Sequence, residues 1–222
     1  VIAEQFGTLA ALFPGRIELG LGRAPGTDQH TAHALRRSLI GGGDAFPRDV
    51  QELQHYFQEP EPGQLIRAVP GAGLDVPIWV LGSSLYGAQL AAALGLPYAF
   101  ASHFAPAAMM QAIAVYRERF ESSEQLDKPY VMLGMNVVAA ETDEVARFLK
   151  TSVLQSFVNL RRGTPGMLPA PIAGYEDSLM PAERSMLDQA LSCSVAGAPD
   201  TVESEVAVFI EKTGADEIMI TS

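Results

Sequence analysis

Three short stretches carry side chains that could do chemistry. Arg23 follows Leu19-Gly20-Leu21-Gly22, Ser83-Ser84 follow Pro77 to Gly82, and His103 follows Tyr98 to Ser102. Each lies just beyond a run that reads as a β-strand. A guanidinium offers a planar fork of donors suited to phosphate or carboxylate. Paired serines at a helix start add hydroxyls and free backbone N–H groups to the same task. An imidazole at a strand end is placed to meet a ligand and to exchange a proton with it. Plainer alternatives stand beside each reading: Arg23 as a solvated charge, Ser83-Ser84 as helix caps, His103 as a hydrogen-bonded structural side chain. Residue types alone do not choose between them.

The elements that would position these residues are legible from spacing and punctuation. Ile17, Leu19 and Leu21 alternate with Glu18 and Gly20, the period of a strand, between Pro14-Gly15 and Pro25-Gly26. A helix precedes it over Val1 to Leu12, with Ile2, Phe6, Leu9 and Phe13 at helical spacing. Thr27 or Asp28 is placed to cap a second helix, Thr27 to Ile40, with Ala32, Leu35 and Leu39 on one face. Pro47 to Phe57 reads as a third, with Val50, Leu53 and Phe57 inward, and Leu65 to Val69 as a short extended piece. Pro77 to Gly82 is a continuous apolar run, as in a parallel strand buried on both faces. Leu85 to Leu94 is helical and stopped by Gly95. Tyr98 to Ala101 is a strand, Pro106 to Phe120 a helix, Tyr130 to Ala140 a strand, and Thr142 caps a helix to about Leu160. A Pro/Gly-rich excursion follows from Gly163. Helices over Pro181 to Leu191 and Thr201 to Lys212 lead to a last buried strand, Glu217 to Ile220. Five strands alternating with helices imply an α/β fold with right-handed crossovers and a parallel sheet, open or part of a barrel.

Composition bounds the function. The chain has 222 residues, 48% of them hydrophobic, and a net charge of −11. No basic run is present, so nucleic acid is not an expected partner. No apolar stretch approaches the roughly 20 residues of a membrane-spanning helix. One cysteine, Cys193, excludes an intrachain disulfide framework and, with no signal-like segment, suggests a cytoplasmic protein. The histidines lack metal-ligand spacing, and no metal site is expected. Trp79 and Met109-Met110 read as core, His30 and His55 as helix-surface residues. Val1 opens inside a helical pattern and Ser222 closes an apolar run, so the sequence reads as part of a longer chain.

Several blocks in one order resemble the bacterial luciferase-like flavin monooxygenases, the LLM class of flavin-dependent oxidoreductases. The blocks are Ala3 to Leu9, Pro14 to Asp28, Trp79 to Ser84, Gly95 to Pro106 and Thr213 to Ile220, and together they span essentially the whole chain. The resemblance implies a (β/α)8 TIM barrel with its active site at the C-terminal strand ends. On that template the strands at Ile17, Ile78, Tyr98, Val131 and Glu217 would be the fourth to eighth. Residues 1–222 would then form a single partial-barrel domain lacking the first three strands and the last helix. Its open edges would favour a homo-oligomer, and residues 163–177 would be the family's mobile insertion.

The resemblance also implies roles. FMN phosphate would sit near Gly22, Arg23, Gly82, Ser83 and Ser84. His33 falls where the luciferases carry a second phosphate arginine, with Arg36 and Arg37 close by in sequence. His103 is a candidate for contact with flavin or substrate. Reduced FMN, supplied by a flavin reductase, and O2 would oxygenate a small organic substrate. The deazaflavin F420, in a hydride-transfer enzyme of the same barrel family, is the alternative cofactor. A non-catalytic flavin-binding relative is the third reading. The family's catalytic histidine follows the second strand and has no counterpart in this chain, so no catalytic base is assigned.

Overall fold

Strand β2, Ile78–Gly82, shows how the sequence builds the scaffold. Ile78, Trp79 and Val80 are all buried, so its apolar run packs on both faces. Glu18, one of the polar alternates of the preceding strand, accepts a hydrogen bond from the Trp79 indole N–H at 2.7 Å. Trp79 also meets Tyr130 edge to face, with centroids 5.6 Å apart. The burial of Trp79 therefore comes with a partner for its one polar atom.

The computed structural model describes residues 1–24, 31 and 42–222. The expected helix from Thr27 to Ile40, its cap at Thr27 or Asp28, and His30, His33, Arg36 and Arg37 lie outside the described residues apart from Thr31. The chain divides into two compact units: Val1–Ala99 with Val115–Tyr130, and Phe100–Ala114 with Val131–Ser222.

The first unit holds α1 (Ile2–Leu12), β1 (Leu19–Gly22), α2 (Gly42–Phe57), β2, α3 (Leu85–Leu94) and most of β3 (Tyr98–Phe100). β1 and β2 run parallel, with Leu19 opposite Ile78 and Gly22 opposite Leu81. β3 is the next neighbour of β2. Helix α3 begins after Ser84 and ends at Gly95, whose φ of 61° is the left-handed cap conformation that glycine adopts without penalty. Helix α2 starts five residues earlier than Pro47 and carries that proline inside it. No strand forms over Leu65 to Val69, where Leu65 is fully exposed.

Helix α1 corrects its expected face. Ala3 and Gly7 are buried, whereas Ile2, Leu9 and Phe13 are substantially exposed. Small residues win because the Pro70-Gly71 backbone lies directly on Gly7, where a β-carbon would collide with it.

The second unit holds α4 (Met109–Glu118) in part, β4 (Val131–Ala139), α5 (Asp143–Arg161), α6 (Pro181–Ala190), β5 (Ser194–Gly197), α7 (Pro199–Thr213) and β6 (Glu217–Thr221). β5 corrects the expected count of five strands: Ser194–Gly197, assigned to no element from the sequence, makes a sixth among the described residues. β4 takes two parallel partners in succession. Its Met132–Asn136 half pairs with β6 and its Asn136–Ala139 half with β5. β6 is also less buried than expected, with Met219 and Ile220 49% and 58% exposed. Thr142 caps α5 by accepting from the Val145 N–H at 3.3 Å. Asp143 accepts from the Ala198 N–H at 2.7 Å, which ties the start of α5 to that of α7.

Leu154, Val158, Leu179, Leu187 and Leu191 form a core between α5 and α6. The same inner face of α5 also buries Thr151, Ser152 and Gln155. Two of these hold the excursion: Gln155 donates to the Ala170 carbonyl at 2.9 Å, and Thr151 Oγ1 accepts from the Ile172 N–H at 2.9 Å. Residues 163–174 contain no helix or strand, and Met167 is almost fully exposed.

Candidate cofactor site

The parallel register of β1 and β2 fixes the site's geometry. Because Gly22 lies opposite Leu81, the next residues, Arg23 and Gly82, come to the same sheet end. The Arg23 guanidinium lies over the Tyr86 ring, with Cζ 4.1 Å from the centroid. Tyr86 is the second residue of α3, so the stack holds the cation beside the helix N-terminus. The first-turn N–H groups of α3 have no partner inside the helix, and no acidic residue occupies that turn. Sequence order alone could not reveal this juxtaposition, since Tyr86 follows the serine pair as an ordinary helix residue.

Ser84 takes the N-cap position in an extended conformation, φ −148° and ψ 168°, yet its side chain makes no capping hydrogen bond. The plain helix-cap reading of Ser84 is therefore not what the structure has. Its backbone carbonyl instead accepts from the Tyr98 hydroxyl at 3.1 Å. That phenol is buried, and burial pushes its pKa well above the ordinary value of 10.0. Ser83, Ser84 and Arg23 are exposed.

Gly22 and Gly82 are not required by packing. A β-carbon would meet nothing closer than 3.7 Å at Gly22 and 3.6 Å at Gly82. At Gly82 that β-carbon would rest in ordinary van der Waals contact with Gly87 and Tyr98. An exposed cation, two exposed hydroxyls and the first-turn helix N–H groups together make a donor set suited to a phosphate monoester. The structure thus brings Gly22, Arg23, Gly82, Ser83 and Ser84 together in the first unit.

His103 belongs to the second unit. It follows Ser102, which is fully buried and donates to the Gly134 carbonyl at 2.6 Å. The His103 carbonyl accepts from Asn136 Nδ2, and Asn136 Oδ1 accepts from the Thr221 hydroxyl at 2.7 Å. The ring packs edge to face on Phe104, with centroids 4.8 Å apart. Its Nδ1 is buried against Gly134 and, among the described residues, has no hydrogen-bond partner. Burial lowers its pKa below the ordinary 6.5. The side chain is thus not the hydrogen-bonded structural histidine of the plainer reading. Tyr86, Gly134, Asn136 and Thr221 are partners that sequence reasoning missed. No motif marks them, because each acts across tertiary contacts.

Of the residues read as bystanders, Trp79 and Met109 are buried, Met110 is 45% exposed and His55 is on the surface. Cys193 is a buried free thiol whose pKa burial raises. Among the described residues no helix is long and apolar enough to cross a membrane.

Comparison with known proteins places the chain. The luciferase-like monooxygenase family profile matches residues 1–217. The chain is 53% identical over 220 residues to a luciferase-like monooxygenase of Escherichia coli strain K12, covering 99% of this chain and 66% of that protein. The chain belongs to the luciferase-like monooxygenase family. The crystal structure of apo-MsnO8 superposes with a TM-score of 0.86 at 29% identity, covering 99% of this chain and 66% of that one. Two more distant structures share the fold. One is a type II Baeyer-Villiger monooxygenase component from Pseudomonas putida in complex with FMN, with TM-score 0.63, 18% identity and coverage of 99% and 68%. The other is the coenzyme F420-dependent tetrahydromethanopterin reductase of Methanopyrus kandleri, with TM-score 0.64, 17% identity and coverage of 99% and 72%. The chain thus spans just under two thirds of the length of the E. coli relative and of MsnO8.

Proposed function

We propose that this chain contributes the phosphate-binding end of a flavin site in an FMN-dependent, luciferase-like oxidoreductase that oxygenates a small organic substrate. The observation that carries the reading is the Arg23 guanidinium stacked on Tyr86 at the N-terminus of α3, beside a Ser84 hydroxyl that caps nothing. Arg23 would pair with the phosphate dianion. The first-turn N–H groups of α3 and the hydroxyls of Ser83 and Ser84 would donate to its remaining oxygens. Tyr86 would keep the guanidinium planar and aimed, and Gly22 and Gly82 would let the backbone approach. When bound, the reduced flavin supplies the electrons for O2 activation, and a separate reductase would supply the reduced flavin. The chain's own part is to bind, orient and exclude water.

A deazaflavin is the second reading, favoured by the shared fold with an F420-dependent reductase. The Pro/Gly-rich excursion at 163–177 is read as a mobile cover for the bound cofactor, held at Ala170 and Ile172. Titration of the purified chain with FMN and with F420, followed by visible absorption, tests the reading. O2 uptake with a reductase then tests the chemistry. FMN binding is expected in the first step. Saturable F420 binding without FMN binding would favour the second reading, and binding of neither would refute both.

A further inference from the structure

His103 is fastened from both sides to one strand. Ser102 holds the Gly134 carbonyl and Asn136 holds the His103 carbonyl, so the residue cannot slide along β4. Asn136 is itself oriented. Its Oδ1 takes the Thr221 hydroxyl proton, which turns its Nδ2 toward His103. The ring is then laid on Gly134, where a β-carbon would collide with Nδ1. The hydrogen that glycine carries in that direction is therefore aimed at Nδ1. A bare lone pair accepts such a C–H contact, weakly but favourably. A proton on Nδ1 would instead meet a C–H and be a buried donor with no acceptor, the rarer and costlier defect. Both nitrogens of an imidazolium are protonated, so the charged ring meets the same obstacle. Among the described residues no carboxylate is paired with the ring to relieve it. Nδ1 is the buried nitrogen, and the half-buried ring leaves Nε2 as the nitrogen available to a ligand.

We propose that His103 is held as the neutral Nε2–H tautomer, a fixed hydrogen-bond donor for a carbonyl or anionic oxygen rather than a general base. Gly134 and Asn136 are its positioning residues: the first selects the protonated nitrogen and the second aims the ring. A donor of this kind stabilises negative charge on an oxygen without itself exchanging a proton. The identity of that oxygen, on cofactor or substrate, rests on the proposed function. The tautomer does not.

The test begins with multiple-bond 1H–15N correlation of the imidazole rings in the uniformly 15N-labelled chain at neutral pH, without ligand. Four histidines contribute signals, and His103→Gln assigns the relevant one by its loss. A pyridine-like Nδ1 and a pyrrole-like Nε2 are expected. The reverse pattern, or two pyrrole-like nitrogens, would overturn the proposal. Donor function is then read with FMN on two variants. The glutamine amide nitrogen falls near the position of Nε2, whereas that of asparagine falls near Nδ1. His103→Gln should keep the wild-type affinity or flavin spectrum, and His103→Asn should lose about tenfold in affinity or shift the spectrum. Equal behaviour of the two variants would overturn the donor role. Failure of the wild-type chain to bind FMN or F420 would overturn the functional reading alone, because the tautomer is measured without either.

Discussion

Replacing Arg23 by alanine is the perturbation that most directly tests the cofactor site. The side chain is exposed and stacks on Tyr86, and among the described residues it makes no hydrogen bond. Its loss should leave stability nearly unchanged. Toward a phosphate, a charge-assisted hydrogen bond contributes about 1.5–3 kcal/mol. At about 1.4 kcal/mol per tenfold, Arg23→Ala should weaken FMN binding by roughly 10- to 150-fold. Tyr86 acts through the arginine, and an exposed cation–π contact is worth about 0.5–1 kcal/mol. Tyr86→Leu alone should therefore cost roughly two- to fivefold. In a double-mutant cycle the pair should cost no more than Arg23→Ala by itself. Arg23→Lys keeps the charge but loses fork and stack, and should fall between. The assay is flavin fluorescence titration with FMN and, as a control, riboflavin, which lacks the phosphate. Arg23→Ala should not alter riboflavin affinity. An unchanged FMN affinity, or equal weakening for both flavins, would show that Arg23 holds no phosphate.

Three further outcomes follow from the second unit. Leu154, 5% exposed in the core between α5 and α6, should lose about 2–5 kcal/mol of unfolding free energy as Leu154→Ala. A urea-melt difference below about 1 kcal/mol would mean that this core is not formed. Acidification should destabilise the fold in two windows. Burial depresses the His103 pKa, so above 6.5 the ring is neutral in both states and contributes nothing. As pH falls through 6.5 the unfolded chain takes up the proton first, and stability drops. Asp143, held low chiefly by the Ala198 N–H, and Glu183, held low chiefly by the Met180 N–H, stabilise the fold above their ordinary values of 3.8 and 4.5. That contribution is lost as pH falls through the lowered values. Urea midpoints against pH should show both windows, and His103→Gln should remove the upper one. A midpoint that rises on acidification would contradict the sign. Limited proteolysis should cut first between Thr164 and Pro169, the exposed arm ahead of the Ala170 tether, and bound FMN should slow it. First cleavage within Tyr98 to Phe120 would count against the cover role.

What the sequence revealed depended on punctuation. Helix α3 and strand β2 were legible almost to the residue because Pro77, Ser84 and Gly95 mark their ends. Arg23, Ser83 and Ser84 stood out as candidates for the same reason, being the first polar groups past apolar runs. β5 was not, since Ser194-Val195-Ala196-Gly197 is short and its pairing comes from β4, far back in the chain. The inner face of α1 was misread because close backbone packing selects Ala3 and Gly7 over the larger apolar residues. The buried polar residues of α5 look like surface positions until Ala170 and Ile172 are seen to use them. Asn136 and Thr221 carry no signal in the sequence. Their meaning lies in a hydrogen bond that spans 85 residues.

That separation has a consequence for how the chain comes into being. At synthesis rates of about 5–20 residues per second, 85 residues take roughly 4–17 seconds. Through that interval the Met132–Asn136 edge of β4 has no β6 to pair with, and nothing yet orients the Asn136 amide. A nascent chain holds an apolar strand edge open while its remaining partner is still being made. Such edges are where newly made proteins associate wrongly or recruit chaperones. The last hydrogen bond behind His103, from Thr221 to the Asn136 amide, therefore forms only among the final events of synthesis.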